Sequence, residues 1–162
     1  MNSGYDQGVS EPRVSSHLRR SVAMRASRCC EYCSCQERYS PDTFSVEHIV
    51  PLSQGGPTEL ANLAYSCQGC NGHKATRTSG IDPLTKKIAP LYHPRQHPWQ
   101  EHFLWSDDYL SVLGRTPTGH ATIELLRLNR EPVVNLRRLL CAAGQHPPPM
   151  FRLELTESDG PK

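Results

Sequence analysis

Residues 30–33 read Cys-Glu-Tyr-Cys, and residues 67–74 read Cys-Gln-Gly-Cys-Asn-Gly-His-Lys. Between them, residues 47–56 read Glu-His-Ile-Val-Pro-Leu-Ser-Gln-Gly-Gly. Each Cys-x2-Cys offers two thiolates to one ion from a single tight turn. Cys30, Cys33, Cys67 and Cys70 together fill the tetrahedral shell of Zn2+, which leaves no open position and makes such a zinc structural. It would tie the segment after an N-terminal helix to the segment after a second strand. Three further cysteines, Cys29, Cys35 and Cys141, stand outside the two pairs. They read as bystanders, with Cys35 a substitute ligand and Cys141 a small residue on an apolar helix face.

Outward from the cysteines, the chain has short elements and many loops. Val14, Leu18 and Val22 recur at i, i+4 and i+8, which predicts an amphipathic helix between Pro12 and Arg28. That stretch holds five arginines (Arg13, Arg19, Arg20, Arg25 and Arg28) and no acid. It is either a solvated helix face or a phosphate-contacting one. Thr43 to Val50 predicts a strand between Pro41 and Pro51, Leu63 to Ser66 a second strand, and a short helix starts near Asn71. Thr78 to Pro90 reads as irregular, with a turn at Asp82 and Pro83. Trp99, Phe103 and Trp105 read as packing rather than as base-stacking platforms. Tyr109 to Leu113 alternates like a strand. Thr118 is the predicted cap of a helix to about Leu128, and Pro132 suits the first turn of another.

The composition excludes several classes. The chain has 162 residues, 36% of them hydrophobic, a net charge of +2, fourteen prolines and eleven glycines. The apolar runs are too short for a transmembrane helix, so no membrane partner is expected. Met1 to Ser10 lack the pattern of a secretory signal, so a cytoplasmic location is expected, where disulfides are rare. Seven cysteines also cannot form a fully paired disulfide framework.

The run from Glu47 to Gly56, then Asn62, then Cys67 to Lys74 resembles the HNH endonucleases, the ββα-metal nucleases. The resemblance covers roughly Cys30 to Lys74. It implies an α+β fold: a small ββα-metal core braced by the four-cysteine zinc site, with an N-terminal helix and a C-terminal strand-plus-two-helix extension. The expected division is a disordered terminus over residues 1–11, a nuclease domain with its zinc over 12–95, the extension over 96–145, and a loose tail over 146–162. The resemblance also implies that His48 is the general base. Glu47 and Asn71 would ligate a catalytic Mg2+ or Mn2+, and Asn62 would hold the hairpin loop and help to orient His48. The products would be a 5′-phosphate and a 3′-hydroxyl on DNA, with double-strand cleavage requiring a homodimer or two independent events.

Elementary chemistry agrees with these roles. Phosphodiester hydrolysis needs an activated water and a cation to stabilise charge, and a His base suits neutral pH. Oxygen donors such as a carboxylate and a carboxamide suit hard Mg2+. Adjacent strand residues point to opposite faces, so Glu47 and His48 share one site only through a bend at the strand end. Two departures from the family's usual pattern are visible: Glu47 is longer than the more frequent Asp, and Asn71 stands where the family often has His. His73 is a substitute ligand. Lys74, Arg77, Arg25 and Arg28 are the expected nucleic-acid contacts. The alternative is a non-catalytic zinc module that binds nucleic acid or protein without using His48.

Overall fold

The computed structural model describes residues 14–149. Arg13, the terminus expected to be disordered over 1–11, and the tail from Met150 lie outside them. Helix α1 (Ser16–Arg25) opens the described chain. Ser15 caps it by accepting a bond from the Leu18 amide. Val22 and Ala23 are buried, and Val14 and Leu18 pack on the same cluster, as the i, i+4, i+8 spacing predicts.

Strand β1 (Ser45–His48) pairs antiparallel with β2 (Leu63–Ser66), with His48 opposite Leu63 and Glu47 opposite Ala64. Helix α2 (Gln68–Lys74) follows at once and completes a ββα unit. It starts earlier than Asn71, because Cys67 is its cap and accepts from the Cys70 amide through sulfur. The second cysteine pair therefore forms the first turn of the helix that presents Asn71.

The segment from Thr78 to Pro90 is not irregular. It forms a hairpin of β3 (Ser79–Ile81) and β4 (Ile88–Pro90). Asp82 closes its turn by accepting from the Leu84 amide and the Thr85 hydroxyl. A short helix α3 (Trp99–His102) leads into a third hairpin, β5 (Phe103–Trp105) with β6 (Val112–Gly114). Trp99 packs on Phe103 and Trp105 at centroid distances of 5.4 and 5.6 Å, which makes these rings part of the interior.

Helix α4 (Pro117–Leu126) is capped by Thr116, not Thr118. Pro117 takes the first helical position, which moves the cap two residues back, and Thr118 is buried inside the first turn. Helix α5 (Glu131–Ala142) carries Pro132 in its first turn, as expected. No helix among the described residues is long and apolar enough to cross a membrane.

The boundary expected near residue 95 is crossed by packing. Helix α4 lies against α2 and against the β3–β4 hairpin. Arg137 of α5 is 2% exposed and donates to the carbonyls of Cys33 (2.9 Å), Leu128 (3.1 Å) and Leu110 (3.0 Å). A guanidinium this deep must find acceptors, and one of them is the backbone of the first cysteine turn.

The Gly-Gly pair has a steric reason. Gly55 is left-handed at φ 81, where side chains are rare. A Cβ on Gly56 would sit 1.9 Å from the Val50 carbonyl oxygen. Gly56→Ala is therefore expected to destabilise by about 3 kcal/mol, the upper end for overpacking. Gly72, with nothing within 4 Å of its Cβ position, is expected to gain up to about 1 kcal/mol as Gly72→Ala inside α2. Urea unfolding of the two variants checks both signs.

Candidate metal centre and active site

The sulfur atoms of Cys30, Cys33, Cys67 and Cys70 all lie within 4.8 Å of one another, and all four residues are buried. Cys33 and Cys67 sulfurs are 3.7 Å apart. A tetrahedron of ~2.3 Å Zn–S bonds has edges of about 3.8 Å, so the cluster fits a zinc shell and is far too open for a disulfide. Hydrogen bonds from the other three sulfurs hold the Cys67 thiol well below the usual thiol range. Cys35 lies outside this group, although its carbonyl accepts from the Cys30 amide at 2.8 Å and shapes the turn. Cys29 is buried, with its thiol pushed up to about 11 by burial. Cys141 is only partly buried.

Asn62 clamps the loop after β1. Its Oδ1 accepts from the Val50 amide, and its Nδ2 donates to the carbonyls of Val50 and Pro57, all at 2.9 Å. The clamp holds the loop so that the Thr58 hydroxyl meets His48 Nε2 at 2.9 Å. Asn62 is 6% exposed, so it acts through the loop and does not line the cleft. Thr58 escaped sequence reasoning. The available signal was its place two residues after the Gly-Gly pair.

Glu47, His48 and Asn71 line one open concavity of about 390 Å³, together with Arg19 of α1 and Pro51. The structure thus brings the expected base, the expected amide ligand and one arginine of the early helix to one cleft. The other expected basic contacts are engaged elsewhere. Arg25 donates to the carbonyls of Leu60 (2.8 Å) and Leu63 (2.6 Å), and Arg28 pairs with Glu37 at 3.0 Å. Arg77 donates to the His73 carbonyl at the end of α2. His73 Nδ1 meets the Gly69 carbonyl at 2.6 Å, within its own helix.

Lys74 departs from the expected surface contact, and Glu47 is its partner. Lys74 is 1% exposed and not at the surface. Its ammonium donates to Glu47 Oε2 at 2.8 Å and to the His48 carbonyl at 3.1 Å. The other Glu47 oxygen accepts from the Tyr32 hydroxyl. Glu47 is 7% exposed and His48 is half-buried, and both line the concavity. Burial pushes the Glu47 carboxyl up, opposed by Lys74 and Tyr32. Burial, then the Glu47 charge, holds the Tyr32 phenol well above its usual value. Both Glu47 oxygens are bonded, one to Tyr32 and one to Lys74, so a cation at Glu47 would compete with the Lys74 ammonium.

Tyr32 stands between Cys30 and Cys33, so the zinc turn itself grips the residue before His48. Residues 30–77 match the family model described as HNH endonuclease. Over those 48 residues the chain is similar to HNH endonucleases. No curated protein and no solved structure matches the chain. The HNH match ends at Arg77, three residues past the end of α2, and leaves both later hairpins and α3 to α5 outside it.

Two outcomes are expected. Purified protein should hold about one zinc per chain by elemental analysis, and stripping it should collapse the far-UV circular dichroism; a metal-free, folded protein would sink this assignment. Lys74→Met leaves the Glu47 charge buried without its ion-pair partner, at a cost of about 3–5 kcal/mol in urea unfolding. The double variant Glu47→Gln/Lys74→Met should recover most of that loss.

Proposed function

We propose that the HNH domain makes this chain an endonuclease that hydrolyses DNA phosphodiester bonds, with His48 as the general base. The observation that carries this reading is the cleft itself. It sets a hydrogen-bonded imidazole, a carboxamide and an arginine around an open concavity on a zinc-braced ββα unit.

In this reading, His48 takes a proton from a water positioned for in-line attack on phosphorus. The bond from phosphorus to the 3′-oxygen breaks, leaving a 5′-phosphate and a 3′-hydroxyl. The Thr58 hydroxyl fixes the ring orientation, because a hydrogen bond at one ring nitrogen sets the ring's plane and tautomer. Arg19, exposed on α1, supplies positive charge to the strand that enters.

A divalent cation, Mg2+ or Mn2+, supplies neutralisation of phosphate and leaving-oxygen charge when bound. Asn71, which lines the cleft with Glu47, would offer it an amide oxygen. Glu47 acts by holding β1 through Tyr32 and Lys74. DNA is the proposed partner, and a homodimer is the proposed route to double-strand cuts.

The second reading is a non-catalytic zinc module. The Glu47–Lys74 ion pair favours it, because a neutralised acid offers little to a cation. A supercoiled-plasmid assay with Mg2+ or Mn2+ separates the two readings. Nicking should fall about 10²- to 10⁴-fold in His48→Ala, the range for loss of a general base. Cutting that survives both His48→Ala and EDTA overturns the mechanism. Salt-sensitive DNA binding without cutting under any metal selects the second reading.

A further inference from the structure

The C-terminal region reaches the sulfur cluster through a side chain. Arg130, at the start of α5, is half-buried. Its NH2 lies 3.2 Å from Cys67 Sγ and its NH1 3.6 Å from Cys70 Sγ. NH1 also donates to the Arg127 carbonyl at 3.2 Å, which ties the guanidinium to its own turn. Of the two residues between those cysteines, the second is Gly69. A Cβ there would lie 2.5 Å from NH2, 2.8 Å from Cζ and 2.9 Å from Nε of Arg130. The missing side chain of Gly69 is therefore the seat of the guanidinium.

Four thiolates around Zn2+ leave a net charge of −2 in a buried place, which costs solvation unless donors face the sulfurs. Donors to metal-bound ligands raise retention of the metal, and their loss typically costs 10–100-fold in affinity. A guanidinium is suited to bridging two acceptors because its donors are held in one plane.

We propose that Arg130 is an outer partner of the metal centre: by donating to the sulfurs of Cys67 and Cys70 from the C-terminal region, it slows release of the bound zinc. The assignment rests on the sulfur cluster and is independent of the nuclease reading. Arg137 serves as its internal comparison. It docks the same helix on the Cys33 carbonyl at 2.9 Å, a contact to backbone and not to sulfur.

The test measures transfer of zinc from the intact, loaded protein to a chromogenic chelator. Arg130→Met is expected to release zinc about 10–100-fold faster than the parent protein, with Arg130→Lys in between. Gly69→Ala keeps the arginine but fills its seat, and should release zinc at the rate of Arg130→Met. If Arg130→Met fails to fold, Gly69→Ala and Arg130→Lys carry the comparison. Replacement of zinc by Co2+ adds a readout that packing alone does not move. The thiolate-to-cobalt charge-transfer band should shift to longer wavelength in Arg130→Met and Gly69→Ala, and stay in place in Arg137→Met. Parental release rates, or an unshifted band, in both Arg130→Met and Gly69→Ala overturn the proposal. So does an Arg137→Met variant that releases zinc as fast as Arg130→Met, because the effect would then belong to helix docking.

Discussion

Four buried sulfurs, drawn from two turns far apart in the chain, are the constraint on which the rest of this molecule depends. The described residues form three separate two-stranded sheets, and an isolated two-stranded hairpin is marginal in water. Each hairpin needs something to lean on. The cluster gives β1 and β2 that support, because Cys67 ends β2's run into α2 and Cys30 and Cys33 lie in the turn that follows α1. The metal centre, the second strand and the helix bearing Asn71 are thereby one mechanical unit. Any displacement of the second cysteine pair displaces Asn71 with it.

A second constraint is the two-residue period of β1. Glu47 and His48 are neighbours in sequence that differ in partners: one is buried against a phenol and an ammonium, the other is bonded to a loop hydroxyl, and both line the cleft. The buried residue is the anchor for its neighbour. Tyr32 comes from the zinc turn, Glu47 from β1 and Lys74 from α2, so their junction sets the mutual placement of three elements. Lys74 adds a bond to the His48 carbonyl and fixes the backbone of His48 itself. A slip of one residue would send the imidazole inward and the carboxylate outward, and the buried ion pair opposes that slip.

Much of this was legible in the sequence where the signal is local. Leu63 to Ser66 is a strand because it is a short apolar run with a turn on each side, and the cysteine spacing alone specified the cluster. The β3–β4 hairpin was hidden, because Gly80, Pro83 and Pro90 are breakers and Ile81 and Ile88 face solvent without alternation toward a core. Lys74 read as a surface cation because nothing near it in sequence announces Glu47, 27 residues away. Arg25 and Arg28 carried the same ambiguity. A basic side chain looks alike on paper whether it meets phosphate or a carbonyl, and only packing decides. Arg19 reached the cleft because its turn of α1 faces it, which the apolar spacing of the helix leaves undetermined among its polar positions.

The bond between Arg137 and the Cys33 carbonyl spans 104 residues of chain, and this separation is also an interval of time. A ribosome adding 5–20 residues per second makes the donor roughly 5–20 s after the acceptor. Through that interval the first cysteine turn exists without its last backbone partner, and Cys67 and Cys70 exist without Arg130. The HNH segment is complete in sequence long before it is complete in contacts. Synthesis order thus makes α5 the last of the described helices to join the core.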